Sequence, residues 1–185
     1  MESFSNPKDA AEWVLSGKIL LHPTEGVWGL GCLYDSKNAI NRISELKQRS
    51  EAKNYILLMP NLAWVQKLGS NLDPIDLEDL KTFWPGHCTI LFEPSNECPR
   101  HLISKIDRVA MRVSAHKPIK DLLNVIQKPI VSTSANISGK AHMDDIDFNK
   151  KLFNFDDVAL YNKPLGGEEK PSKIVDFLSR EVIRE

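Results

Sequence analysis

Cysteine is scarce in this sequence: Cys32, Cys88 and Cys98 are spread over 185 residues, with no CxxC pair among them. An odd, scattered set of this kind builds neither a disulfide framework nor a structural zinc site, and it fits a reducing, cytosolic compartment. The five histidines, at 22, 87, 101, 116 and 142, form no HExxH or other close pair. No apolar run approaches the roughly 18 residues of a membrane span, and the opening "MESFSNPKDAAEW" lacks the charged-then-apolar pattern of a leader. No membrane partner is therefore expected. Charge of one sign is missing as well, since 24 Lys and Arg against 25 Asp and Glu leave a net charge of −1. A site for an anion or for RNA must then be a local patch. Repeats, low-complexity tracts and RNP-like aromatic motifs are absent. Gly26, Gly29 and Gly31 match neither GxGxxG nor the Walker A pattern, which excludes those two phosphate loops. In a cytosolic protein the sequon Asn136-Ile137-Ser138 carries no meaning.

What is present is an alternation of helical and strand-like segments. Asn6-Pro7 reads as an N-cap and first helical residue, with Gly17 as the stop and Ala10, Ala11, Trp13 and Val14 as an apolar face. "KILLH" (18–22) reads as a strand. Ser36 is placed to cap a helix carrying Ile40, Ile43 and Leu46, and "YILLM" (55–59) reads as a buried strand. Asn61 caps "LAWVQKL", which Gly69 ends. Asp73-Pro74 opens a helix with Leu77, Leu80 and Phe83 on its inner face, and Pro85-Gly86 stops it. "CTILF" (88–92) and "RVAMRV" (108–113) read as strands, and Pro118 starts a helix with Leu122, Leu123 and Ile126. A weak helix near 145–153 and the strand-like "VALY", "KIVDFL" and "EVIRE" complete the chain. The pattern predicts one α/β domain over 1–185, with a mixed sheet flanked by helices.

Three stretches carry candidate chemistry. In "PIVSTSANISGK" (129–140), period two places Ser132, Ser134 and Asn136 on one face and Thr133, Ala135 and Ile137 on the other. That polar row is either an Asx or Ser turn before Gly139 or a ligand face at a strand end. In "ELKQRSEAK" (45–53), Lys47 and Arg49 point the same way only if the helix ends near Leu46 and the chain extends. Otherwise they complement the helix dipole. Lys53 adds a third positive charge. Arg112, inside a strand, needs a counter-charge or an exit to solvent. In "HPTEGVWGLGC" (22–32) the glycines allow a close approach of backbone to some other group, or simply turns. Together, basic groups, hydroxyls and a glycine-bearing loop suit a phosphorylated small molecule.

The ordered set "HPTEGVWGLGC", "ELKQRSEAK", "WPGHCTILF", "RVAMRVSAH", "PIVSTSANISG" and "KPSKIVDF" closely resembles the YrdC family in its short, TsaC-type form, the threonylcarbamoyl-AMP synthases. The motifs run from residue 22 to about 178, within a core of about 18–178, and imply the single-domain form. The resemblance implies a twisted sheet with a concave basic face. It also implies a reaction of L-threonine, bicarbonate and ATP, with Mg²⁺ borne by the ATP, giving threonylcarbamoyl-AMP and pyrophosphate. A separate transferase complex would then build t6A in tRNAs reading ANN codons. Carried over residue by residue, Lys47 and Arg49 match the KxR pair and are expected to be catalytic. With them, Lys53, Thr89, Ser134, Asn136 and Arg184 are expected to bind ATP. Thr24, Arg112, Ser132 and Ser172 are expected to bind threonine, Arg112 as a bidentate carboxylate partner. Gly26 stands where relatives often have Thr or Ser, Lys173 where Thr or Glu is common, and Lys117 is inserted between His116 and Pro118. Two other readings are a non-catalytic tRNA- or ribosome-associated RNA-binding factor, with weak RNA binding able to coexist with catalysis, and a carbamoyl-transfer module. The lack of zinc-finger cysteines disfavours the last.

Overall fold

A computed structural model describes residues 1–49, 55–70 and 72–185. The elements in chain order are β1 (Ser3–Phe4), α1 (Pro7–Leu15), β2 (Ile19–His22), β3 (Gly29–Leu33), α2 (Lys37–Leu46), β4 (Ile56–Leu58), α3 (Leu62–Leu68), α4 (Pro74–Leu80), β5 (Cys88–Phe92), β6 (Val109–Arg112), α5 (Lys117–Ile126), β7 (Ile130–Ser134), α6 (Ile146–Leu152), β8 (Val158–Tyr161), β9 (Lys173–Asp176) and β10 (Val182–Arg184). Local chemistry sets several boundaries. The Asn6 side chain accepts from Lys8 N at 2.9 Å with Pro7 opening α1. Asn61 accepts from Trp64 N at 3.3 Å at the start of α3, and Asp73 with Asp76 forms a reciprocal capping box on α4. Ser36 differs from expectation: it precedes α2 but makes no side-chain cap. Phe83 lies beyond α4, in the turn that follows.

The strands form one sheet in the order β1-β8-β2-β3-β7-β4-β6-β5-β9-β10. It is mixed, as expected. Pairs β1–β8, β8–β2, β4–β6 and β5–β9 are parallel, and the other five pairs are antiparallel. Strand β3 is a correction, because its glycines suggested a loop. Here it is bonded on both sides, to β2 and along five residue pairs to β7. Among the described residues no helix is long and apolar enough to cross a membrane.

The sheet buries both faces. On one, α1 and α5 cover Leu20, Leu58, Ile130, Ala159 and Tyr161. On the other, α2, α3 and α4 pack against Leu21, Leu30, Cys32, Leu57 and Val131. Alternation along β7 decides where the site lies. Ile130, Ser132 and Ser134 share the α1/α5 face; Ile130 is in the core, while Ser132 and Ser134 border a cleft. Register carries that face across the sheet, through Ile56 opposite Ser132 and Ala110 opposite Ile56. The helices thus cover one part of this face and leave its polar end accessible.

Candidate active site

The cleft measures about 300 Å³ and is bordered by Thr24, Arg49, Arg112, Ser132, Thr133, Ser134, Ser172 and Arg184, among others. Among the described residues its border includes three arginines and no carboxylate. Apolar side chains, including Ile56, Leu91, Ala110 and Ile174, form the rest of its wall.

One corner is built by the end of α2. The helix stops at Leu46, but the chain does not extend. Gln48 takes φ +52° and Arg49 N bonds back to Ser44 O at 3.0 Å, a left-handed helix end. This turn still sends both basic side chains to the loop after β7. Lys47 is fully buried. Its ammonium donates to Ser134 O, to Asn136 O at 2.8 Å and to Asn136 Oδ1 at 3.0 Å. An ammonium has three donors, so Lys47 is a clamp on this loop. It is not among the residues bordering the cleft, although it was expected to bind ATP. Arg49 donates through Nη2 to Thr133 Oγ1 at 2.9 Å and through Nε to Ser138 Oγ at 3.2 Å. Its Nη1 is buried with no hydrogen-bond partner among the described residues. Burial lowers the Arg49 pKa, but an arginine stays charged at neutral pH.

Because Lys47 can only donate, Asn136 Oδ1 is the oxygen at that position, and Ser134 Oγ, 2.6 Å away, gives it a proton. Ser134, expected to bind ATP, therefore offers lone pairs to the cleft. Asn136 Nδ2 bonds to Lys140 O, and Asn136 is not among the residues bordering the cleft. Thr133 reverses the expectation from period two. Arg49 draws it into the cleft, where its hydroxyl accepts from the guanidinium.

Arg112 supplies the opposite corner. It is 4% exposed, and its counter-charge is Glu25, with Nη2 3.0 Å from Oε2. Glu25 Oε1 also accepts from Ser114 Oγ at 2.7 Å and Ala115 N at 3.2 Å. Burial alone would raise the Glu25 pKa. Neighbouring His87, the Arg112 charge and the Ser114 hydroxyl outweigh it and hold the carboxyl at about 2. Arg112 Nη1 lies 3.4 Å from His87 Nδ1, and its Nε is a buried donor without a partner among the described residues. Thr24 borders the cleft, but its hydroxyl closes a turn, donating to Val27 O at 2.7 Å.

On a third side, Arg184 of the edge strand β10 donates to Ser172 O at 3.0 Å and 2.6 Å, and Ser172 Oγ lies 2.8 Å from Thr89 Oγ1. Ser172 and Arg184 border the cleft, whereas Thr89 is completely buried beneath them. Lys53 lies outside the described residues. The glycines approach protein groups. A Cβ on Gly26 would sit 2.2 Å from Lys170 O, and one on Gly29 or Gly31 would strike the His22 ring or neighbouring atoms within 3.0 Å.

Sequence reasoning missed Thr133, Glu25, His22 and His87. Only Glu25 left a signal, through the need of Arg112 for a counter-charge.

A Sua5–YciO–YrdC family model, described as "Telomere recombination", matches residues 12–185. The chain is 36% identical over 179 residues to the threonylcarbamoyl-AMP synthase of Blochmanniella floridana, covering 96% of this chain and 94% of that one. It is 35% identical over 171 residues to the protein of that name from Pseudoalteromonas translucida (strain TAC 125), covering 91% of each. Among solved structures it resembles P. abyssi Sua5 complexed with L-threonine, with a TM-score of 0.82 and 27% identity over 92% of this chain. It spans about half of that longer protein, 50%. E. coli YciO shares the fold, with a TM-score of 0.80 at 24% identity, covering 100% of this chain and 95% of that one.

Proposed function

This chain belongs to the Sua5–YciO–YrdC family, and from that premise we infer that it is a threonylcarbamoyl-AMP synthase. It joins L-threonine, bicarbonate and ATP into threonylcarbamoyl-AMP, with release of pyrophosphate and water, and the product serves t6A formation in tRNA through a separate transferase. The observation that carries this reading is the pair of arginines bordering one cleft, each with a buried donor, Arg49 Nη1 and Arg112 Nε, that meets no partner among the described residues. Buried donors without partners are costly, and anionic oxygens are the partners that would satisfy them.

The amine of threonine and bicarbonate condense to a carbamate, losing water. A carbamate oxygen attacks the α-phosphorus, and the bond to the bridging oxygen of pyrophosphate breaks. Charge grows on the leaving group, so a fixed cation at that point lowers the barrier most. Arg49 takes this role. Lys47 acts through the loop it holds, keeping Ser134 and Asn136 in place. Arg112, braced by Glu25, receives the threonine carboxylate, and the Ser172–Arg184 side faces the nucleotide and the amino acid. Mg²⁺ accompanies the ATP as its counter-ion. The arginines and hydroxyls bordering the cleft are poor ligands for a hard cation, and among the described residues no group of three or more His, Cys, Asp and Glu side chains converges.

The test is pyrophosphate release by purified protein given ATP and bicarbonate, with and without L-threonine. Threonine-dependent release is expected; release that ignores threonine, or none, defeats the reading.

A further inference from the structure

His22, at the end of β2, has no part in the reaction described above, yet it is fully enclosed. Gly29 and Gly31 on β3 create its slot, because a Cβ on either would come within 2.9 Å of the imidazole. The two ring nitrogens meet different groups. Nδ1 lies 3.1 Å from the Pro23 carbonyl. A carbonyl can only accept, so Nδ1 carries the proton. Nε2 lies 3.3 Å from Ser132 Oγ, which borders the cleft. Burial lowers the His22 pKa to about 4, so the ring is neutral at physiological pH and Nε2 keeps its lone pair. Ser132 is then the donor in this contact. A hydroxyl has one proton, and Ser132 directs it away from the cleft.

We propose that His22 is a positioning residue for the amino-acid substrate: it fixes the Ser132 hydroxyl as an acceptor at the cleft wall, set to receive an N–H of threonine or of its carbamate. The inference rests on the synthase reading. It follows that Ser132 disfavours carboxylate and phosphate oxygens, which bring only lone pairs to meet its own. Neighbouring Thr133 has the reverse polarity. Its Oγ1 accepts from Arg49, and its proton meets no protein acceptor among the described hydrogen bonds. Adjacent hydroxyls of β7 therefore sort the substrate, nitrogen over Ser132 and anionic oxygen toward Thr133 and Arg49.

The test combines His22→Phe, which keeps a ring but removes the acceptor, with Ser132→Ala. Loss of one neutral hydrogen bond's orientation should raise KM for L-threonine about three- to tenfold, with kcat falling less than KM rises. KM for ATP should stay within about twofold, the split expected when binding of one substrate alone is weakened. In the Ser132→Ala background, His22→Phe should have no further effect on threonine, since the pair acts as one unit. Equal changes for ATP and threonine, or full additivity, would overturn the proposal. Should His22→Phe fold poorly, the imidazole ¹⁵N resonances of the wild-type protein decide. A ring protonated at Nδ1, whose Nε2 signal moves in Ser132→Ala, supports the proposal; protonation at Nε2 ends it. Absence of threonine-dependent pyrophosphate release by the wild type is a failure of the synthase reading. An active wild type with threonine binding untouched by His22→Phe is a failure of this proposal alone.

Discussion

Replacing Glu25 by Gln removes the charge that balances Arg112 and turns an amide N–H toward its guanidinium. The Gln carbonyl can still accept from Ser114 Oγ and Ala115 N, as Glu25 Oε1 does at 2.7 Å and 3.2 Å. What is lost is the ion pair of 3.0 Å between two residues that are 6% and 4% exposed. The Glu25 pKa falls from an ordinary 4.5 to about 2 on folding, which corresponds to roughly 3 kcal/mol of stability at neutral pH. Breaking one side of a buried pair typically costs about 3–5 kcal/mol, so the two routes agree. The sign follows from the depressed folded pKa. The contribution is complete above the unfolded value and disappears as pH falls from about 4.5 toward 2. Urea unfolding at pH 7 should therefore show Glu25→Gln less stable by about 3 kcal/mol. By pH 3 the gap should shrink to roughly 1.4 kcal/mol, because the carboxyl of the unfolded wild type is then almost fully protonated while that of the folded protein is still mostly ionised. Other carboxylates titrate equally in both proteins and cancel in the difference. A gap that is the same at both pH values, or under about 1 kcal/mol at pH 7, would refute the idea that this pair is coupled in the folded protein.

Other perturbations separate chemistry from support. Arg49→Ala should lower kcat/KM for pyrophosphate release roughly 10²-fold or more, as loss of a transition-state donor does, with the melting temperature little changed; a near-wild-type rate would leave Arg49 as a helix-end charge only. Lys47→Met should damage both properties. Three oxygens of the Ser134–Asn136 loop lose their buried donor, a loss of about 1–3 kcal/mol in denaturant titrations, and activity should fall with it. A stable but inactive Lys47→Met would show that its charge acts directly on substrate. Gly26→Ala brings a methyl 2.2 Å from Lys170 O, so the 168–170 backbone must move, and overpacking of this kind costs about 1–3 kcal/mol. An unchanged melting temperature would mean that this backbone gives way freely.

Elements held by local chemistry were legible in the sequence. Asn6-Pro7, Asn61 and Asp73-Pro74 each satisfy helix-start donors within three residues, and those helices begin where the side chains said. The apolar strands 88–92 and 158–161 match residue for residue. Strand β3 was hidden because Gly29 and Gly31 have no β preference of their own. The strand exists through its bonds to β2 and β7 and through the imidazole that fills the space above it. Strand order was hidden for a related reason: β7 pairs with β3 and β4, contacts that no local pattern encodes.

The site was legible as a set of residues and not as a set of directions. The Lys47–Arg49 pair was expected to need an extended chain, yet a left-handed Gln48 brings both to the same loop by another path. Once there they divide their work, because the ammonium already meets three oxygens among the described residues, one for each donor, while the five-donor guanidinium still has Nη1 without a partner among them. The same logic of donors and acceptors passes along β7. Lys47 fixes the Asn136 amide, Asn136 takes the Ser134 proton, His22 takes the Ser132 proton, and Arg49 leaves Thr133 with its own. Of three consecutive hydroxyls, Thr133 alone can donate to an anion without breaking a bond made among the described residues, although period two had turned it away from the ligand.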